Sequence, residues 1–377
     1  MAPNKAHRIA FFKAGSFSHI NHQIEEILRT EFPEYPVDVF EIERLVRPHQ
    51  RILLTNLFFL ISDYQHRLST TKGVLRKQFY RTTYLFRQIK ALAQKVLKAK
   101  PYIFSFQTQS LFDASTPDIP HFIYTDHSIL ANLAYPGFAY SSIDALYPPA
   151  LLTLEREIYQ NAERVFTMGK FVAENLMGQY DCQPEQIICV GGGSNTYVDA
   201  PSTTRDYTKK NILFVGVNWE RKGGPDLAQA YMQIHKAHPD STLTIVGCQP
   251  DMILPNCHVA GPVAPANVQS YFDNASIFCL PSKREPFGVA LIEASLARLP
   301  VVSTTIGAIP DIILHGASGM LVSPGDISGL EDALDRLLCS PTLCQQMGMI
   351  GHAHIKENFT WDIVGHTIAN HIRRSIL

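Results

Sequence analysis

"SIFCLPSKREPFGVALIEASLARLPVVST" covers residues 276–304. Its first part, "SIFCLPS", is a short apolar run stopped by Pro281, as expected of a strand buried on both faces. "VALIEASLAR" follows with helical spacing and apolar residues on most sides, and "PVVST" returns to a β-branched strand. Strand, helix, strand within so few residues implies a parallel pair with a crossover helix. The loop "KREPFG" then lies at the carboxyl end of a strand, where open α/β sheets bind ligands.

The same alternation extends in both directions. Toward the C-terminus, "MLV" is a strand and "ISGLEDALDRLLC" a helix; toward the N-terminus, "NILFVGV" and "TLTIVG" are strands, separated by the helix "PDLAQAYMQIHKAH", and "NVQSYFDN" is a further helix. Upstream, "HRIAFFKAG", "VDVFEI", "YIFSF", "HFIYTD", "RVFTM" and "QIICVGGG" read as strands. Helices are expected from about Ile20, over 150–162, over "KFVAENLMGQY", and across 51–100 with a break near Thr70 to Gly73. "APSTTRDY" (200–207) is short and polar and reads as a linker. The expected architecture is therefore α/β, two Rossmann-like, doubly wound parallel-sheet domains facing across a cleft. The first spans 1–200 and the second 208–357, with a terminal amphipathic helix over 358–377.

At 377 residues, 46% hydrophobic and 18% charged, the chain can bury two ordinary cores and is not disordered in composition. The run "ILLTNLFFLI" (52–61) is too short to cross a bilayer. No secretory leader is visible before Lys13. The seven cysteines are dispersed without a Cys-x-x-Cys pair, which predicts reduced thiols and neither a disulfide framework nor a zinc site. The expected location is the cytoplasm.

Charge is uneven. The net value is −1, yet residues 44–100 hold 13 Lys or Arg against one acid, Asp63, a local +12 that leaves −13 elsewhere. Aromatics are interleaved with these cations, including Phe58, Phe59, Tyr64, Phe79 and Tyr84. Two readings stay open: a peripheral contact with the inner face of an anionic membrane, or a first-domain helical face with core aromatics and solvated cations. No nucleic-acid motif accompanies the segment.

Within the opening stretch, Glu285 falls in the loop and Glu293 about five residues into the helix, some 7–8 Å along its axis. Gly288 permits close approach to the backbone. The helix N-terminus suits phosphate or sugar oxygens. Two carboxylates at this interval can accept hydrogen bonds from hydroxyls at two places on one extended ligand. A charge inside "VALIEASLA" is costly unless paired, so Glu293 is read as functional.

Residues 281–326, "PSKREPFGVALIEASLARLPVVSTTIGAIPDIILHGASGMLVSPGD", resemble the donor-site signature of family 4 retaining glycosyltransferases of the GT-B fold. The shared features are Glu-x7-Glu, Gly-x-x-Pro-Asp (Gly307, Pro310, Asp311), Gly-x-x-Gly and Pro-Gly-Asp. The resemblance implies that Glu293 holds the nucleotide ribose, that Glu285 faces the donor sugar, and that the Phe287 and Gly288 amides meet sugar or phosphate oxygens. "FVGVNWERKGG" (214–224) resembles the family's phosphate loop and assigns Lys222 to the diphosphate. The family's usual arginine after the glycine is Val217 here, and the second cation is Arg221, Lys283 or absent. "HFIYTDHSIL" (121–130) aligns His127 with the family's active-site histidine, although the family's His-Asp order is reversed, with Asp126 first. "KAGSFSHIN" (13–21) could bring the Gly15 and Ser16 amides to the diphosphate, without the family's double glycine. "GGGSN" (191–195) and Trp361 are read as structural, and no Gly-x-Gly-x-x-Gly supports a nicotinamide site.

By that resemblance the chain is a metal-independent, cofactor-free retaining glycosyltransferase. It would move a sugar from a nucleotide-sugar donor to a hydroxyl acceptor, lipid-linked or otherwise, with His127, Glu285 and Lys222 as catalytic residues. Two alternatives are a nucleotide-sugar epimerase or hydrolase of the same fold, and a non-catalytic nucleotide-sugar-binding protein.

Overall fold

The computed structural model describes residues 7–15, 17, 20–135, 147–195 and 205–376, with His66 described by its backbone only. The chain divides into two compact units. The first comprises Met1–Ala134, Phe138–Val190 and Val364–Leu377, and the second Tyr135–Gly137 and Gly191–Ile363.

Unit 1 is built on a six-stranded parallel sheet: β1 (Arg8–Lys13), β2 (Val37–Glu41), β3 (Tyr102–Thr108), β4 (His121–Thr125), β5 (Arg164–Thr167) and β6 (Ile187–Cys189). Their order is β2-β1-β3-β4-β5-β6. Ile9, Phe11, Phe12, Phe104, Phe106, Phe122 and Phe166 are fully buried on its strands, which is why the strands read as unbroken apolar runs. Helices Ile20–Glu31, Ala150–Gln160 and Lys170–Gln179 are crossovers. The long insertion between β2 and β3 forms Ile42–Val46, Gln50–Tyr64, Lys72–Phe79 and Thr83–Ala99. The C-terminal helix Trp361–Ile376 joins unit 1 from Val364 onward. There Arg373 lies over the Phe32 ring at 5.0 Å and His366 Nδ1 meets Glu31 at 2.9 Å.

Unit 2 has β7 (Asn211–Val215), β8 (Thr242–Val246), β9 (Cys257–Gly261), β10 (Ile277–Leu280), β11 (Val301–Thr304) and β12 (Gly319–Val322), in the order β12-β11-β10-β7-β8-β9. All its pairs are parallel. The order reverses between β7 and β10, so the loops that leave these two strands diverge at a topological switch point. Its main crossovers are Gly224–Ala237, Pro265–Asn274 and Val289–Leu296, and Ile327–Leu338 follows its last strand.

Several sequence expectations need correction. β9 went unrecognised because it is an edge strand with His258 exposed and its neighbours only half-buried, so it lacks an apolar run. Residues 200–204 of the expected linker lie outside the described residues, while its end is anchored to unit 2. Arg205 donates to the carbonyls of Phe272, Ala275 and Ala297, at 2.6 Å each, and the Tyr207 hydroxyl donates to Arg298 O at 2.7 Å. The helix carrying Glu293 starts at Val289, as read from the sequence. Gly288 is its N-cap at φ 113°, a left-handed backbone conformation that glycine adopts without strain.

Candidate functional site

The two loops at the switch point of unit 2 are locked to each other. Lys283 N donates to Arg221 O at 2.9 Å, and Arg221 Nη1 donates to Arg284 O at 2.8 Å. Gly223, at φ 74°, lets the first loop pass under the second: a Cβ there would fall 1.7 Å from Pro281 O. Trp219 covers Gly224 and packs on Phe214, with ring centroids 5.1 Å apart.

This locking brings Lys222 Nζ against Glu285 Oε2 in a buried ion pair, although 63 residues separate them in sequence. Ser282 Oγ donates to the same carboxylate oxygen at 3.2 Å. Burial pulls the Lys222 pKa below the ordinary lysine value, and the opposing attraction of Glu285 restores it only in part. The lysine on the phosphate-type loop and the first glutamate of the pair thus form one charge-compensated group. Behind it, Thr304 Oγ1 donates to Ser282 O at 2.7 Å and Ser303 Oγ to Leu280 O at 2.6 Å, tying the β10 exit to β11.

Gly307 has a defined structural task. Its φ is 54°, and a Cβ would lie 1.9 Å from Glu285 O, so the Gly-x-x-Pro-Asp segment backs directly onto the glutamate loop. Glu293 is the fifth residue of the helix Val289–Leu296 and is buried, together with Leu291, Ile292, Ala294 and Ser295. The Phe287 side chain is a packing anchor, 3% exposed and 6.3 Å from the Phe359 ring. The Phe287 and Gly288 amides meet no protein acceptor among the described residues.

Both candidates for the second cation have a protein partner: Arg221 Nη1 donates to Arg284 O, and Lys283 Nζ pairs with Asp226 at 2.9 Å. Val217 is 80% exposed at the head of the loop. In unit 1, the Gly15 amide already donates to Glu41 Oε1 at 3.1 Å, so it is not a free phosphate donor, and Ser16 lies outside the described residues.

His127 follows β4 and is half-buried, with Nδ1 2.5 Å from Asp126 Oδ1. Burial acts to lower the His127 pKa, but the Asp126 carboxylate outweighs it, and the net shift is upward. The inverted Asp-His order still gives a carboxylate–imidazole pair, formed by adjacent residues. The His127 carbonyl is held by Thr125 Oγ1 at 2.7 Å and the Tyr159 hydroxyl at 3.1 Å.

Sequence reasoning missed Glu155. This buried carboxylate sits at the start of the helix Ile129–Leu133 and accepts from Ile129 N at 3.0 Å, Ser110 Oγ at 2.5 Å and the Tyr180 hydroxyl. Burial raises its pKa, with those donors opposing. His127, Ser110, Glu155, Arg81 and Tyr147 line one recess, with the Arg81 guanidinium 4.4 Å from the Tyr147 ring centre. A signal existed. Leu151, Leu154, Glu155 and Ile158 recur at helical spacing, so Glu155 is a carboxylate on an apolar face.

"GGGSN" and Trp361 meet within unit 2. Trp361 Nε1 donates to Ser194 O at 2.8 Å, and a Cβ on Gly193 would strike the Trp361 ring at 2.7 Å. Among the described residues, one grouping offers three metal-type ligands: His238, Asp335 and Cys339. Its histidine and carboxylate are hydrogen-bonded at 2.7 Å, with Lys210 Nζ 3.4 Å from the other ring nitrogen, and it stands on different elements from the Lys222 loops. None of the seven cysteines, all among the described residues, forms a disulfide.

Residues 209–340, all in unit 2, match the family described as "Glycosyl transferases group 1". A D-inositol 3-phosphate glycosyltransferase of Corynebacterium diphtheriae is 25% identical over 235 residues, which are 55% of this chain and 55% of that protein. The chain spans about half the length of the curated relatives it matches. Sucrose-phosphate synthase from Thermosynechococcus elongatus has a similar structure, with a TM-score of 0.73 at 16% identity, covering 98% of this chain and 99% of that one. HepE from Anabaena, solved with UDP and glucose, gives 0.65 at 14% identity over 97% and 99%. These likenesses establish the fold as GT-B.

Proposed function

We propose that the protein is a retaining glycosyltransferase that moves a sugar from a nucleotide-diphosphate donor to a hydroxyl acceptor, without a metal ion or other cofactor. The observation that carries the reading is the buried Lys222–Glu285 pair at the switch point of unit 2, one helical segment away from buried Glu293. A lysine held beside a carboxylate is ready to exchange that partner for a phosphate oxygen. The unmatched amides of Phe287 and Gly288 supply donors for the same group. On release from Lys222, Glu285 would turn its oxygens to the sugar hydroxyls, and Glu293 would read the ribose. The names of two curated relatives, a D-inositol 3-phosphate glycosyltransferase and a 2-deoxystreptamine N-acetyl-D-glucosaminyltransferase, favour this chemistry.

In this reading the acceptor hydroxyl attacks the anomeric carbon from the face that the diphosphate leaves. A donor phosphate oxygen takes its proton, while Lys222 and the amides stabilise the departing charge. His127, whose pairing with Asp126 favours the charged ring, would be the group that orients the sugar. The test is titration of UDP and GDP into the wild type and Glu293→Ala, followed by assay of nucleotide sugars for transfer. Loss of nucleotide affinity in the variant and a product with the donor's anomeric configuration are expected. Unchanged affinity would overturn the role of Glu293; net epimerisation without an acceptor would overturn transfer.

A further inference from the structure

The helix Gln50–Tyr64 has two apolar faces. Its inner face buries Asn56, Leu60 and Tyr64 and packs on the helices Lys72–Phe79 and Thr83–Ala99, with Phe59 stacked on Tyr84 at 4.6 Å. The outer face presents Leu54, Leu57, Phe58 and Ile61 at spacings of three, four and seven residues from the first. They are 68%, 48%, 70% and 62% exposed. With Leu68, they make up five of the twelve large hydrophobics exposed among the described residues, and the four on the helix form one stripe, whereas scattered exposed residues would need no explanation.

The helix cannot roll to hide that stripe, because its inner face is pinned by buried polar side chains. Asn56 Nδ2 donates to Phe79 O at 2.8 Å and Asn56 Oδ1 accepts from Thr82 Oγ1. The Tyr64 hydroxyl donates to Arg81 O at 3.2 Å, and Gln78 Nε2 to Arg67 O at 2.9 Å. Asn56, Gln78 and Thr82 are fully buried, so turning the helix would strand their donors and acceptors away from water.

The segment that carries the stripe is strongly basic, with Asp63 its one acid over 44–100. Arg44, Arg47, Arg51, Lys72 and Lys77 are exposed and pair with no carboxylate among the described residues. We propose that this face docks on an anionic lipid bilayer. The helix Gln50–Tyr64 would lie in the interfacial plane, with Leu54, Phe58 and Ile61 entering the acyl boundary and the cations among the head groups. Charge selects this occupant over a second copy, which would oppose +12 with +12. It also sets orientation. The −13 on the rest of the chain is repelled by the same surface, so only this segment faces the lipid.

The experiment is co-sedimentation of the full chain with vesicles of phosphatidylcholine plus phosphatidylglycerol, against vesicles of phosphatidylcholine alone. Binding to the anionic vesicles that weakens with salt is expected. Leu54→Ser/Phe58→Ser/Ile61→Ser and Lys72→Glu/Lys77→Glu should each lower the partition coefficient by about tenfold or more. Their circular dichroism and UDP affinity should match the wild type, since none of these residues belongs to the sugar-nucleotide site. No binding to anionic vesicles, or binding equal in the triple variant, would overturn the proposal. So would self-association, seen by ultracentrifugation and abolished by the triple variant, in a protein that ignores vesicles.

Discussion

Lys222 and Glu285 form one buried ion pair across the point where the second sheet reverses its strand order. The pair joins two loops that are remote in sequence. Each partner makes the burial of the other tolerable, and neither charge would be stable there alone.

Removing one partner should therefore cost more than removing both. Lys222→Met is expected to lose about 3–5 kcal/mol by leaving Glu285 uncompensated, and Lys222→Met/Glu285→Leu to recover most of it. Denaturant unfolding measures both, and equal losses would mean that the pair is solvated in solution. Calorimetry should show loss of UDP or GDP binding in both variants.

Gly307→Ala should destabilise unit 2 and weaken donor binding together, because the added carbon collides with the Glu285 carbonyl. A loss of about 2 kcal/mol or more is expected from a displaced loop and an unfavourable φ. Gly316→Ala is the control. Its φ is also positive, at 77°, but nothing lies within 4 Å, so it should cost less stability than Gly307→Ala.

Asp126→Asn should lower the His127 pKa, because the carboxylate is what outweighs burial. With the folded pKa above the unfolded value, the stabilisation from this pair is complete below about pH 6.5 and fades as pH rises through the folded value. Side-chain NMR titration reads the shift directly. A histidine that titrates identically in the variant would remove Asp126 as its partner.

Glu155 has the opposite charge type but the same sign of linkage. Its folded pKa is raised, so its contribution is complete below about pH 4.5 and is lost as pH rises through the folded pKa. Glu155→Gln should flatten that portion of the stability curve. Glu155→Ala should cost about 1–3 kcal/mol by stranding the Ser110, Tyr180 and Ile129 donors. Thermal unfolding across pH distinguishes the two variants.

Much of this protein was legible in one dimension. Buried parallel strands such as β1 and β10 announce themselves as apolar runs, and each crossover helix by its spacing, because both patterns are dictated locally by which faces meet the core. β9 was not, since an edge strand buries little and so imposes no pattern. The spacing of Glu285 and Glu293 and the placing of Lys222 in a strand-exit loop were likewise visible without coordinates. Only the tertiary structure decided that Lys222 closes on Glu285, that Arg221 reaches the Arg284 carbonyl and Lys283 pairs with Asp226, and that Glu155 reaches the His127 recess. Those outcomes depend on which loops the sheet order brings together and on charges that must pair once water is excluded, and neither is recorded in the local pattern of residues.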